Sequence, residues 1–301
     1  MNSIILKARG KINLTLDVVG KRENGYHDLR MIMQTINLYD TLYIRKTKVP
    51  GIKLRANYSW LPTNEKNIAY RAAQLFFDEA HLDAGVAIEI TKRIPVAAGL
   101  AGGSTDAAAT LVGLNKLFET KYSGQKLMEM GLSLGADVPF CILRGTALAE
   151  GIGEELTTLA SMPHTHLVLV KPPISVSTAL VYKNLNIKDI KCHPNTEAII
   201  EAIENKDLKG IASHMVNVLE GVTIPIHPII KELKEELIKH GAIGSMMSGS
   251  GSTVFGLFES REKAHVAARY FKMEQSIRDV YLTTTYCKLQ KGAHINDRRY
   301  F

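Results

Sequence analysis

Three cysteines, Cys141, Cys192 and Cys287, are too few and too widely spaced for a disulfide framework, and none has the CxxC spacing of a zinc site. Cys141, inside Phe140-Cys141-Ile142-Leu143, reads as a buried thiol acting as a small hydrophobe. No apolar run approaches the ~20 residues that span a bilayer. The segment Met1 to Lys7 also lacks the apolar stretch and small-residue cleavage pattern of a secretory leader. A basic run with interleaved aromatics is missing too. The net charge is +7, of which Lys288, Lys291, Arg298 and Arg299 against Asp297 account for +3 near the C-terminus, and the remaining +4 is dispersed. These absences argue against a secreted scaffold, a membrane span and a nucleic-acid partner. They leave a cytoplasmic enzyme, a monomer or homodimer, whose modest positive surplus suits a polyanionic small substrate.

At 301 residues the chain suits two domains. The expected division is 1–153, 154–290 and a basic tail at 291–301, the first boundary falling at Gly151-Ile152-Gly153. Near the N-terminus, Ile12, Leu14, Leu16 and Val18 alternate with Lys11, Asn13, Thr15 and Asp17, which predicts a half-buried strand with Lys11 and Asn13 on its polar face. Glu23-Asn24-Gly25 predicts the turn that ends it. A strand pair over 31–37 and 41–46, hinged at Tyr39-Asp40, is expected next, then a helix over 67–81 and a strand over 86–90. Further helices are expected over 105–118, 125–134, 178–184, 195–204, 208–219, 228–240 and 261–271. Strands at 166–170, around 246–255 and at 280–286 complete an alternating pattern.

The most informative stretch runs from Pro95 through Val96, Ala97, Ala98, Gly99, Leu100, Ala101, Gly102, Gly103, Ser104 and Thr105 into Asp106-Ala107-Ala108-Ala109. Glycines let backbone N–H groups converge on an anion, and the alanines propagate a helix whose start carries partial positive charge. Ser104, Thr105 or Asp106 is the expected cap of that helix. A Walker A loop would need lysine after its last glycine, and Gly103 is followed by Ser104. Nor do Gly99, Gly102 and Gly103 have the GxGxxG spacing of a dinucleotide fold. A plain glycine turn into an alanine-rich helix remains the alternative reading of the loop alone.

This loop resembles motif 2 of the GHMP kinases, P-x-x-x-G-L-x-x-S-S/T. Ala8 to Leu14 resembles motif 1 and Met247 to Phe255 motif 3, so three motifs stand in order along nearly the whole chain. The resemblance implies an α+β fold with a ribosomal-protein-like N-terminal domain containing a left-handed βαβ unit, and a ferredoxin-like C-terminal domain. Pattern alone would suggest the usual right-handed crossover. It also implies ATP and Mg²⁺, with Asp137 as catalytic base, Lys11 as its cationic partner and Ser104 as a magnesium contact. Ala97, Ala98 and Ala101 stand where relatives often have glycine, so a somewhat different loop path is expected.

Gly20 to Leu29 and Gly135-Ala136-Asp137-Val138-Pro139 are most similar to family members that phosphorylate a cytidyl-diphosphate sugar alcohol. By that likeness Tyr26 and His27 hold the cytosine, Tyr182 covers its opposite face, Thr178 and Asn13 contact the acceptor, and Asn67 belongs to the adenine pocket. For Asn67 the competing role is a helix cap, and for Tyr182 it is ordinary helix packing. Another small alcohol, such as homoserine, is the runner-up acceptor.

Overall fold

The computed structural model describes residues 1–287, apart from Asn24, Glu274 and Ser276. The end of the expected second domain and the basic tail at 291–301 lie outside the described residues, as does Asn24 of the expected turn.

β1 (Ser3–Lys21) and β2 (His27–Thr47) form one long antiparallel hairpin. The hinge expected at Tyr39-Asp40 is absent, because that dipeptide pairs with Arg9 and Ala8 of β1 and continues the strand. β3 (Gly51–Ala56), α1 (Ile68–Ala80) and β4 (Gly85–Thr91) make a βαβ unit whose two strands are parallel, and β4 joins β2 antiparallel. α2 (Gly102–Phe118), α3 (Gly124–Leu132) and α4 (Val138–Leu143) follow. The hairpin of β5 (Thr146–Glu150) and β6 (Glu155–Thr158) then pairs with β2 through β5. The turn at Gly151-Ile152-Gly153 therefore joins two strands of this first sheet, and sheet membership changes only after Thr158.

The second sheet contains β7 (His166–Lys171), β9 (Gly244–Met247), β10 (Val254–Phe258) and β11 (Asp279–Thr284). Its order, β11-β7-β10-β9, is antiparallel throughout and runs fourth, first, third, second in chain sequence, the ferredoxin-like arrangement. Between β7 and β9 lie α5 (Thr178–Asn184), α6 (Thr196–Glu204), α7 (Leu208–Ser213), β8 (Val216–Asn217), α8 (Glu220–Ile226) and α9 (Ile229–Lys239). α10 (Arg261–Met273) precedes β11. The helix expected over 208–219 stops at Ser213, because Val216 and Asn217 pair in parallel with Thr15 and Leu16 and carry the second half onto the first sheet.

Hydrophobic packing explains both layers. Phe76 of α1 and Leu111 and Leu114 of α2 are buried against Leu6, Leu42, Ile44 and Ile88 of the first sheet. Ile12, Leu14, Ile32 and Ile36 pack on Leu167, Leu169, Phe255 and Leu257 of the second sheet. Covering the first sheet on both faces changes the character of β1. Lys11, Asn13 and Thr15 are buried, so the expected half-buried strand is buried on both faces. Its alternation is also broken by bulges between Arg9 and Lys11 and between Asn13 and Thr15. The second bulge shifts side-chain parity, so that Leu16 follows Lys11 and Asn13 onto the cavity wall, while the Thr15 hydroxyl accepts from the Ile32 amide.

Candidate active site

A cavity of about 920 Å³ opens where β1, the start of α2, α4, α5 and the β9–β10 turn converge. Its wall includes Lys11, Asn13, Tyr26, His27, Pro95 to Gly99, Ala101 to Ser104, Asp137, Thr178 and Tyr182.

Lys11 and Asp137 meet at the centre. The Lys11 ammonium is 3.9 Å from the Asp137 carboxylate and donates to Asn13 Oδ1 at 2.8 Å. Asn13 in turn directs its amide at Met31 Sδ, 3.2 Å away. Asp137 is the N-cap residue of α4 but makes no side-chain cap hydrogen bond, so its carboxylate remains available to a ligand. The Lys11 side chain is 6% exposed and that of Asp137 34%, which describes a held cation facing an accessible carboxylate. Such a pair can orient a hydroxyl, accept its proton and offset the charge that develops.

The glycine-rich loop enters α2 differently from the expected capping. The helix begins at Gly102, its N-cap Ala101 is left-handed, and no side chain caps it. Ser104 lies within the first turn, whereas the Thr105 hydroxyl donates to Arg9 O and Asp106 bonds Lys92. Helix geometry leaves the N–H groups of Gly102, Gly103 and Ser104 without intrahelical acceptors beside the cavity, an arrangement suited to phosphate oxygens. Ala97 and Ala101 keep positive φ, 52° and 56°, so the alanines hold glycine-type backbone instead of diverting the loop there. The loop is clamped from both sides: Lys11 N–H donates to Leu100 O, and the Ser248 hydroxyl of the β9–β10 turn donates to Gly99 O. Gly99 (φ +73°) has no room for a side chain, since a Cβ would lie 2.1 Å from Ser248 O.

The opposite wall consists of side chains. His27, the first residue of β2, lies 5.2 Å centroid to centroid from Tyr182 on α5, with the rings tilted by 31°. Tyr26 is 60% exposed at the rim. His27 and Tyr182 are therefore too close to hold a base between them, and a base stacked on Tyr182 must share its face with the cavity. Burial lowers the His27 pKa, with a further contribution from Lys21, which favours the neutral imidazole. Burial, followed by the nearby Asp137 charge, pushes the Tyr182 hydroxyl up. Thr178 shares a 2.7 Å hydrogen bond with Ser250, linking α5 to the β9–β10 turn.

Three expected site residues lie off the cavity wall. Leu100 is buried in the inter-sheet core, and Thr105 is tied to β1. Asn67 caps α1 by accepting from Ala69 N–H at 2.9 Å and also donates to Pro62 O at 2.8 Å, so the cap and this loop contact engage both ends of its amide. Conversely, Lys21, Lys92, Lys183, Gly249 and Ser250 line the cavity without having been singled out. Gly249 and Ser250 belonged to the third motif and could have been carried over with it. Lys21 and Lys183 adjoin the Tyr26-His27 and Tyr182 positions, which was the available signal. Lys92, in Thr91-Lys92-Arg93, had none.

Comparison with known proteins bears on the fold and the family. The GHMP kinases N terminal domain matches residues 67–145 and the GHMP kinases C terminal domain matches residues 199–274. A Lachnospira eligens protein named 4-diphosphocytidyl-2-C-methyl-D-erythritol kinase is 51% identical over 286 residues, 95% of this chain and 99% of its own. A solved 4-(cytidine 5'-diphospho)-2C-methyl-D-erythritol kinase superposes with a TM-score of 0.82 at 35% identity, covering 95% of this chain and all of that one. A homoserine kinase from Cytophaga hutchinsonii superposes with a TM-score of 0.76 at 19% identity over 95% of each chain, a likeness of fold alone.

Proposed function

The chain belongs to the GHMP kinase family, and on that premise we propose that it transfers the γ-phosphoryl group of ATP to the 2-hydroxyl of 4-diphosphocytidyl-2-C-methyl-D-erythritol. This is a step toward isoprenoid precursors in the non-mevalonate route. The observation that carries the reading is the position of the Lys11–Asp137 pair, in one cavity between the backbone-lined helix start and the His27–Tyr182 contact.

The donor triphosphate lies along the N–H groups of Gly102, Gly103 and Ser104. The acceptor base lies against Tyr182 and Tyr26, with neutral His27 offering either its ring N–H donor or its acceptor nitrogen to the base edge. Lys21 and Lys183 line the acceptor side and complement its diphosphate. The acceptor oxygen attacks the γ-phosphorus, the bond to the β–γ bridging oxygen breaks, ADP leaves, and Asp137 receives the hydroxyl proton. Lys11 offsets the charge on the attacking oxygen throughout.

Among the described residues no group of three or more His, Cys, Asp or Glu could hold a metal ion. Ser104 alone offers a hydroxyl at the helix start, which fits Mg²⁺ carried on the ATP phosphates with most of its shell supplied by phosphate and water. Bound there, Mg²⁺ would neutralise phosphate charge. No helix among the described residues is long and apolar enough to cross a membrane, and we place the enzyme in the cytoplasm.

The test is ADP release with ATP, Mg²⁺ and the cytidyl acceptor, alongside homoserine and mevalonate. Turnover confined to the cytidyl acceptor is the expected result. Turnover of homoserine in its place would transfer the assignment to the runner-up.

A further inference from the structure

Lys92 lines the cavity directly beneath the start of α2, a place where a lysine could serve as the missing Walker-type cation. Its hydrogen bonds say otherwise. An ammonium has three donors, and Lys92 is surrounded by three acceptors: Asp40 Oδ2, Asp106 Oδ2 at 2.7 Å and Gly102 O at 3.3 Å. The group is deeply buried, with relative side-chain exposures of 5% for Lys92, 0% for Asp40 and 6% for Asp106. Burial, with the Asp40 charge alongside, pushes the Asp106 carboxyl up to about 8 despite Lys92, so at neutral pH Asp40 already balances the ammonium charge, and Lys92 has neither a donor nor net positive charge left for a ligand.

We propose that Lys92 and Asp106 are positioning residues that fix the first turn of α2, and so aim the phosphate-binding N–H groups into the cavity. Gly102 O belongs to the first residue of the helix, and Asp106 lies one turn further on, so Lys92 grips both ends of that turn. The grip is anchored to the sheet because Asp40 Oδ1 accepts from the amides of Arg93 and Ile94 at 2.5 and 2.8 Å. On the other side of the turn, the Thr105 hydroxyl donates to Arg9 O at 2.7 Å. The first turn is thus tied to β1, β2 and the end of β4.

Space gives independent support. A Cβ on Gly102 would lie 3.3 Å from the Lys92 nitrogen and 3.1 Å from Ile94 Cγ2. Glycine at this position admits the ammonium beneath the helix start. One oxygen of Asp106, Oδ1, is buried without a hydrogen-bond partner. An asparagine could therefore keep its oxygen on Lys92 and place its amide on the orphaned side. It would also keep Lys92 and Asp40 as the charge-balanced pair they form when the Asp106 carboxyl is protonated.

This inference rests on the reading of the cavity as an ATP site. Its test is calorimetric binding of a non-hydrolysable ATP analogue, with acceptor KM and thermal unfolding measured in parallel, for Asp106→Ala, Asp106→Asn and Lys92→Met. Asp106→Ala and Lys92→Met are expected to weaken analogue binding by about tenfold or more, with the acceptor KM unchanged within about twofold. Asp106→Asn is expected to restore binding to within about threefold of the parent. Should Lys92→Met fail to fold, the two Asp106 variants decide. Unchanged analogue affinity in Asp106→Ala, an equal rise in both substrates' constants, or no rescue by asparagine would overturn the proposal. A parent enzyme that binds the analogue but does not turn over the cytidyl acceptor would remove the assigned reaction and leave this inference standing. A parent that does not bind the analogue would remove the ATP site itself.

Discussion

The two walls of the cavity are built from different material. The wall proposed for the phosphate donor is main chain: small residues from Ala97 to Ser104, left-handed backbone at Ala97, Gly99 and Ala101, and clamps from Lys11 N–H, the Ser248 hydroxyl and the Lys92 ammonium. The wall proposed for the acceptor is side chain, with His27 and Tyr182 arriving from separate halves of the chain and touching ring to ring. Phosphate needs several converging N–H groups, which a helix start and a tight loop supply without side chains. A base needs a flat apolar face and an edge-on polar group, which only side chains provide. Substitutions should therefore act on the donor wall by adding atoms and on the acceptor wall by removing them.

The largest effect is expected where the walls meet. Asp137→Asn should lower kcat by about 10²–10⁴ and leave both KM values near the parent's, as steady-state kinetics would show; a normal kcat would mean that Asp137 is not the base. Gly99→Ala tests the donor wall. Its new Cβ would sit 2.1 Å from Ser248 O on a backbone of φ +73°. A loss on the order of 2 kcal/mol, about thirtyfold in ATP KM, is expected with little change for the acceptor. Tyr182→Ala should do the reverse. Loss of stacking worth about 1–3 kcal/mol per base raises acceptor KM by about fivefold to 150-fold, while ATP KM stays put. Equal effects on both substrates would erase the distinction between the walls.

His27 gives a smaller, pH-dependent effect. Burial and then Lys21 depress its pKa, so the imidazole is neutral through neutral pH and charges only below the ordinary histidine value. Acceptor KM should be flat at neutral pH and rise on acidification in that lower window, with the rise absent in His27→Gln. Because the folded pKa lies below the unfolded one, the unfolded chain takes up this proton first. Acidification through the window between the two values therefore also favours unfolding. The smallest effect belongs to Ala101→Gly. Relief of the left-handed strain at φ 56°, less glycine's extra chain entropy, should stabilise the fold by up to about 1 kcal/mol in thermal unfolding.

Much of this was legible along the chain. α1 lies between Asn67 and His81 as its apolar spacing implied, and α5 spans Thr178–Asn184 as read. Lys11, Asn13, Asp137, Tyr26, His27, Thr178 and Tyr182 share one cavity. The errors have local physical causes. Strand periodicity cannot reveal a bulge, so the Asn13–Thr15 irregularity that sends Leu16 to the cavity was invisible. Capping preference pointed to Ser104, Thr105 or Asp106, but tertiary partners on β1 and Lys92 hold Thr105 and Asp106 inside the helix.

The sequence by itself determined a glycine-rich loop that runs into an alanine-rich helix, and its resemblance to the GHMP kinases singled out one lysine, one aspartate and a Tyr-His pair that residue type alone would not have distinguished. Only the tertiary structure decided which carboxylates and ammonium groups are partners. Lys11 faces Asp137, whereas Lys92 is enclosed by Asp40 and Asp106. Residue type is local, but the pairing of charges depends on which strands and helices are brought together: Asp137 and Asp40 reach their lysines from elements distant in sequence, and Asp106 from the next helix along the chain.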